Sequence, residues 1–211
     1  MLAADLIQTP PAVAVPEADA FSWTGLYVGA NAGYSWGTSN SAFTSTSAPF
    51  AGTNINSSPA GFIGGVQAGY NYQTGVLVLG VEAEASVSNI TASFADPLSP
   101  GDTVTAGSDY SGALLAKVGL GLDHFMPYLV GGVAAAHVYS NDTAPDANDS
   151  GIFTGWAAGA GVEYAVDDNW SIGTQYLHSS LTGPTFNASH AWASTANPVN
   201  DTVTARINYK F

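Results

Sequence analysis

The chain contains no cysteine, which excludes disulfide staples and thiolate metal sites. It is poor in charge: Asp, Glu, Lys and Arg make up 9% of 211 residues, against about a quarter in typical soluble domains. Positive charge is nearly missing. Lys117, Arg206 and Lys210 face 16 Asp and Glu, for a net charge of −13, and such a chain should not hold nucleic acid electrostatically. No run of about 18 apolar residues exists, so no transmembrane helix is available. No calcium-loop motif appears, and His124, His137, His178 and His190 are scattered without metal-ligand spacing. The expectation is therefore no metal and no cofactor. No basic n-region leads into an apolar h-region, so Leu2-Ala-Ala-Asp5 is expected to be a mature end, with Met1 an added start.

Glycine is abundant, at 24 residues, and hydrophobic residues reach 46% with 11% aromatic, which argues against disorder. Residues 1–21 carry Pro10, Pro11 and Pro16 without periodicity and read as an extended tail. From Trp23 onward the chain alternates with period two. Leu26, Val28, Ala30, Ala32, Tyr34 and Trp36 share one face of the first strand; Gly25, Tyr27, Gly29, Asn31, Gly33 and Ser35 share the other.

Further strands are expected over about 61–73, 76–88, 110–122, 128–139, 152–166, 170–180 and 201–211. The stretch 128–139 is apolar or small on both faces until His137, so its phase is the least determined. Connections at 73–75, 123–126 and 167–169 are short, whereas 37–60, 89–109, 140–151 and 181–200 are long and polar. Eight strands with long and short connections in alternation predict an all-β fold, an eight-stranded antiparallel up-and-down transmembrane β-barrel. The domain reading is a Pro-rich periplasmic tail over 1–21 and an outer-membrane barrel over 22–211. Both termini then lie at the short-turn, periplasmic end.

Charge sorting supports this. The expected lipid face carries no charge, and every Asp falls in the tail, a loop, a turn or a strand junction. A charge at the bilayer midplane costs about 2–4 kcal/mol, so such sorting is what a membrane barrel needs. Glu82, Glu84 and Glu163 fall on the inward face with Lys117 and Arg206, at similar heights above the short turns, and predict an ion-pair network in the lumen. Inward Gly29, Gly33, Gly65, Gly69, Gly119 and Gly159 leave volume that water is free to occupy. Outward aromatics form two girdles: Trp23, Tyr70, Tyr72, Tyr128, Tyr164, Trp170, Tyr209 and Phe211 at the short-turn end, Tyr34, Trp36 and Tyr110 at the other.

The motifs from Phe21 to Tyr34, from Gly64 to Tyr72, from Pro127 to Val133, Asn169-Trp170 and the closing Val203 to Phe211 resemble one known group. It comprises the small OmpA-like outer-membrane barrels of alphaproteobacteria, namely surface antigens and haemin-binding proteins. The resemblance implies an outer-membrane location among lipids and lipopolysaccharide. It also implies a closing strand whose Tyr209 and Phe211 are read as an assembly signal by the barrel-assembly machinery. Where this group suggests a basic and an acidic residue at 173 and 175 and Tyr at 178, the chain has Gly173, Gln175 and His178.

The function expected is structural: a barrel displaying acidic extracellular loops as a surface antigen that supports envelope integrity. A narrow porin-like channel is the alternative, or haem or host-surface contact through the loops, with His137 or His190 as haem contacts. Enzymatic activity is not expected. His178 and Ser180 have a His-x-Ser spacing similar to that of outer-membrane lipid A deacylases, but the sequence between Asp168 and Asp201 holds no acid to orient the His.

Overall fold

The computed structural model describes residues 21–43, 54–95, 103–142, 149–183 and 194–211. Among these residues nine strands follow in chain order: β1 Gly25–Phe43, β2 Asn54–Ser57, β3 Ala60–Thr74, β4 Leu77–Ala95, β5 Thr103–Leu120, β6 Phe125–Asp142, β7 Asp149–Ala165, β8 Trp170–Thr182 and β9 Ser194–Lys210. Each of β3 to β9 pairs antiparallel with its neighbours, β3 pairs with β1, and β9 returns to β1 to close the sheet. The result is an eight-stranded barrel, with the four-residue β2 as an addition beside the far end of β1. Closure gives each of the eight barrel strands two partners, the condition for backbone N–H and C=O groups to be satisfied inside a membrane.

The strands run longer than the alternation of the sequence suggested. β1, for example, has 19 residues, where about 9–11 cross a bilayer. Parts of the expected loops 37–60, 89–109, 140–151 and 181–200 are therefore strand, and β2 lies inside the first. Backbone ladders do not need apolar side chains, so hairpins continue through Ser, Thr and Asn once their registers are set. Between β4 and β5 this extension proceeds through a register shift after Val87.

At the opposite end, three connections are tight. Gly75 adopts φ +59, the left-handed region that a residue without Cβ enters at least cost. Asp123 enters it too, at φ 57. The turn after β7 is held by Asp167, whose carboxylate accepts hydrogen bonds from the backbone N–H of Trp170 (2.7 Å) and Asn169 (2.9 Å). Those two bonds hold the Asp167 carboxyl below its ordinary range.

Alternation turns Leu26, Phe62, Val66, Val81, Leu114 and Leu129 outward, each at least 60% exposed. A soluble protein does not present such a band to water. Inside, Trp23, Val78, Met126, Tyr128 and Ala165 belong to one packed cluster at the turn end, and Ala136, Phe153 and Leu181 form another toward the loop end.

Two of the expected girdle residues are in fact interior. Tyr128 is 4% exposed, because β6 takes the phase that sends Leu129 and Val133 outward. Trp23 is 3% exposed and turns into the mouth ahead of β1. The inward glycines do not leave open space either. A Cβ at Gly69 would collide with the Tyr27 ring, and one at Gly161 with that of Tyr128, so these strands lose side chains where rings lie across them.

Candidate functional site in the barrel lumen

Inward-facing positions on β1, β4, β5, β6, β7, β8 and β9 converge on one belt of polar groups. Lys117 is its hub. Its Nζ lies 3.2 Å from Glu82 Oε2 and 3.2 Å from Glu163 Oε1, donates to Tyr27 Oη at 3.0 Å, and sits 4.5 Å from the centroid of the Tyr128 ring. The Tyr27 hydroxyl donates in turn to Glu82 Oε2 at 2.5 Å. Arg206 is the second hub. Its Nη2 reaches Glu82 Oε1 at 2.7 Å and Glu84 Oε1 at 3.3 Å, while its Nη1 donates to Gln175 Oε1 and, at 3.3 Å, to Tyr128 Oη.

The neutral residues complete the net. Gln175 Nε2 donates to Glu84 Oε1 at 3.0 Å, Ser171 Oγ to Glu163 Oε2 at 3.3 Å, and Gln67 Nε2 to Asn208 Oδ1 at 2.7 Å. Glu82, Lys117, Glu163 and Arg206 are each 3% exposed or less. Charges so far from water persist through mutual attraction and hydrogen bonding; Arg206 Nε is the one nitrogen of the two cations left without a partner among the described residues. The structure thus brings Glu82, Glu84, Lys117, Glu163 and Arg206 together across the lumen. Sequence reasoning left Tyr27, Tyr128, Gln175 and Gln67 out of this network, although Tyr27 already stood on the inward face of the first strand.

The loop end carries a different pairing, on the outer wall. His178 Nδ1 lies 2.8 Å from Asp201 Oδ1, and Tyr176 donates to the same oxygen at 2.6 Å. The acid missing from the sequence around His178 is therefore supplied by the neighbouring strand, where His178 and Asp201 are register partners. Asp201 also corrects the expectation of an uncharged outward face. Extension of β9 back to Ser194 places it within the strand, on the phase of Val203 and Ile207.

A second such pair joins His137 Nδ1 to Asp109 Oδ1 at 2.7 Å, with the imidazole stacked on Tyr110. His124 instead bonds the carbonyl of Ala165 at a turn, and His190 lies outside the described residues. Among the described residues, no group of three His, Cys, Asp or Glu side chains could hold a metal. On the closing strand, Phe211 is 72% exposed, donates its backbone N–H to Leu26, and meets Tyr209 edge-on, which in turn meets Trp170.

A closed barrel with an apolar wall and an ion-paired polar interior defines an architecture that comparison can place. The family described as outer membrane protein beta-barrel domain matches residues 11–211. The chain belongs to this family. Among curated relatives, the 31 kDa outer-membrane immunogenic protein of Brucella melitensis is 35% identical over 199 residues, covering 85% of this chain and 80% of the relative. The 25 kDa outer-membrane immunogenic protein of Brucella abortus is 33% identical over 211 residues, covering 99% and 90%.

Solved barrels share the fold of this outer-membrane protein. Neisserial surface protein A aligns with a TM-score of 0.52 at 19% identity, over 89% of this chain and 98% of its own. OprG of Pseudomonas aeruginosa aligns with a TM-score of 0.58 at 15% identity, over 89% and 96%. The relatives' names place the barrel in a bacterial outer membrane, among small surface proteins of the alphaproteobacterial kind.

Proposed function

We propose that this barrel anchors in the outer membrane and displays acidic loops at the cell surface, contributing to envelope integrity without catalysing a reaction. The carrying observation is the inequality of its two ends. Tight turns join the strands at one end. The other gathers the connections over 44–53, 96–102, 143–148 and 184–193, which hold Asp96, Asp102 and Asp146 and neither Lys nor Arg.

The interior supports the same reading, since its charges are spent on one another. The termini are periplasmic on this account, and the loop end meets lipopolysaccharide and any host surface. Tyr209 and Phe211, aromatic and presented at the end of β9, are the features that the assembly machinery reads.

An epitope inserted at Pro145 tests the display. It should label on intact cells, whereas a tag ahead of Phe21 should label after permeabilisation alone. The reverse pattern would overturn the orientation, and silence of both on intact cells would overturn the display.

A further inference from the structure

The segment ahead of β1 does not hang free of the barrel; it straps the turn-end mouth. Trp23 N–H donates to Gln73 Oε1 at 2.8 Å, and Gln73 N–H returns a bond to Thr24 Oγ1 at 2.9 Å. The indole Nε1–H of Trp23 donates to the Asp123 carbonyl at 2.9 Å, and Phe21 N–H to Asp123 Oδ1 at 3.1 Å. On the far side of the mouth, Lys210 Nζ donates to the Ser22 carbonyl and lies 4.1 Å from the centroid of the Phe21 ring. Three separate elements therefore hold residues 21–24, and the Trp23 ring packs inward with Val78 and Met126.

Beside the ring lies a small, partly open pocket, lined by Trp170 and Lys210 as well as by Asn71, Glu163, Ser171 and Asn208. Two of these side chains carry polar atoms without a protein partner: Asn71 Oδ1, an acceptor, and Asn208 Nδ2, a donor. Both residues are 3% exposed. The orientation of Asn208 is fixed, because its Oδ1 accepts the bond from Gln67. Buried polar groups left unsatisfied are costly, so the cavity calls for a ligand. A bare cation would face the Asn208 N–H, and an anion would face Glu163. Water both donates and accepts, and so matches the pair.

We infer that Trp23 is a stopper over a small hydrated chamber, closing the lumen between the turn-end mouth and the ion-pair belt. The tight turns alone do not cover the mouth; the strap does. Its hold is on hydrogen bonds to hairpin ends and on one aromatic ring, so displacement of residues 21–24 opens the chamber without breaking the barrel ladder.

The absence of cysteine gives a clean probe. Ser171→Cys places a single thiol in the chamber of the full chain, refolded in detergent and checked for a heat-modified band. Methanethiosulfonate ethylammonium should modify it slowly while Trp23 is present. Removal of the ring in Trp23→Ala should speed modification about tenfold or more, as expected when a local closure is lost, and Trp23→Phe should restore most of the protection. Equal rates with and without the ring would overturn the stopper, as would rapid modification with Trp23 intact.

If Trp23→Ala yields no folded band, the pair Phe21→Ala with Lys210→Met loosens the strap instead, and an unchanged rate there would overturn it equally. Water in the chamber should give cross-relaxation with the Asn208 side-chain amide in an NMR spectrum of the intact protein. Its absence would overturn the hydration.

Discussion

At the scale of single residues, the lumen rests on Lys117. Removing it leaves Glu163 with Ser171 as its remaining hydrogen-bond donor and Glu82 with Tyr27 and Arg206. Breaking a buried pair from one side typically costs about 3–5 kcal/mol, so Lys117→Met should lower stability by about that much in urea unfolding from lipid vesicles. Lys117→Met combined with Glu163→Gln should recover part of the loss, because the second change removes the stranded charge. Asp167 gives a prediction with a defined sign. Its folded pKa is depressed by the backbone N–H groups of Trp170 and Asn169. Its contribution is therefore present above the unfolded Asp value of about 3.9 and is lost as pH falls through the lower folded value. Side-chain carboxyl titration by NMR should place the Asp167 midpoint below the ordinary Asp value of about 3.9.

At the scale of the strand, period-two alternation made most phases legible in the sequence, and the exceptions have physical causes. Residues 128–136 are apolar or small on both faces, so nothing in them chose between Tyr128 in and Tyr128 out; the Gln175 oxygen that accepts from its hydroxyl and the Arg206 guanidinium that donates to it lie far along the chain, on β8 and β9. Trp23 precedes the regular ladder, and alternation says nothing about a residue bonded to turns. In the sequence Asp201 looks like the start of a strand, since the continuation of β9 depends on pairing with the far end of β1. The inward carboxylates and cations were legible because burying charge leaves few choices of phase.

Two substitutions test the faces. Gly69→Val should drive a side chain into the Tyr27 ring, destabilising by about 1–3 kcal/mol as overpacking does. Ala83→Arg, on the outward face of β4, should cost about 2–4 kcal/mol in vesicles near mid-span. Deletion of Phe211 should lower the amount of barrel assembled in the outer membrane more than it lowers the stability of what does assemble. Unchanged membrane levels of the truncated chain would count against the assembly role.

At the scale of the whole molecule, closure arranges one chain into an apolar wall, an ion-paired interior and, on the proposed reading, an acidic loop end. The interior is layered: the strap and Trp23 at the turn end, the Lys117–Arg206 belt above it, and the Phe153 cluster toward the loops. On the proposed reading such a lumen anchors loops and gives ions no continuous path. Single-channel recording of the refolded chain in a planar lipid bilayer tests this most directly. The account predicts a bilayer that contains heat-modifiable protein and stays electrically silent. Reproducible unitary openings, altered in Lys117→Ala or Glu82→Ala, would contradict it.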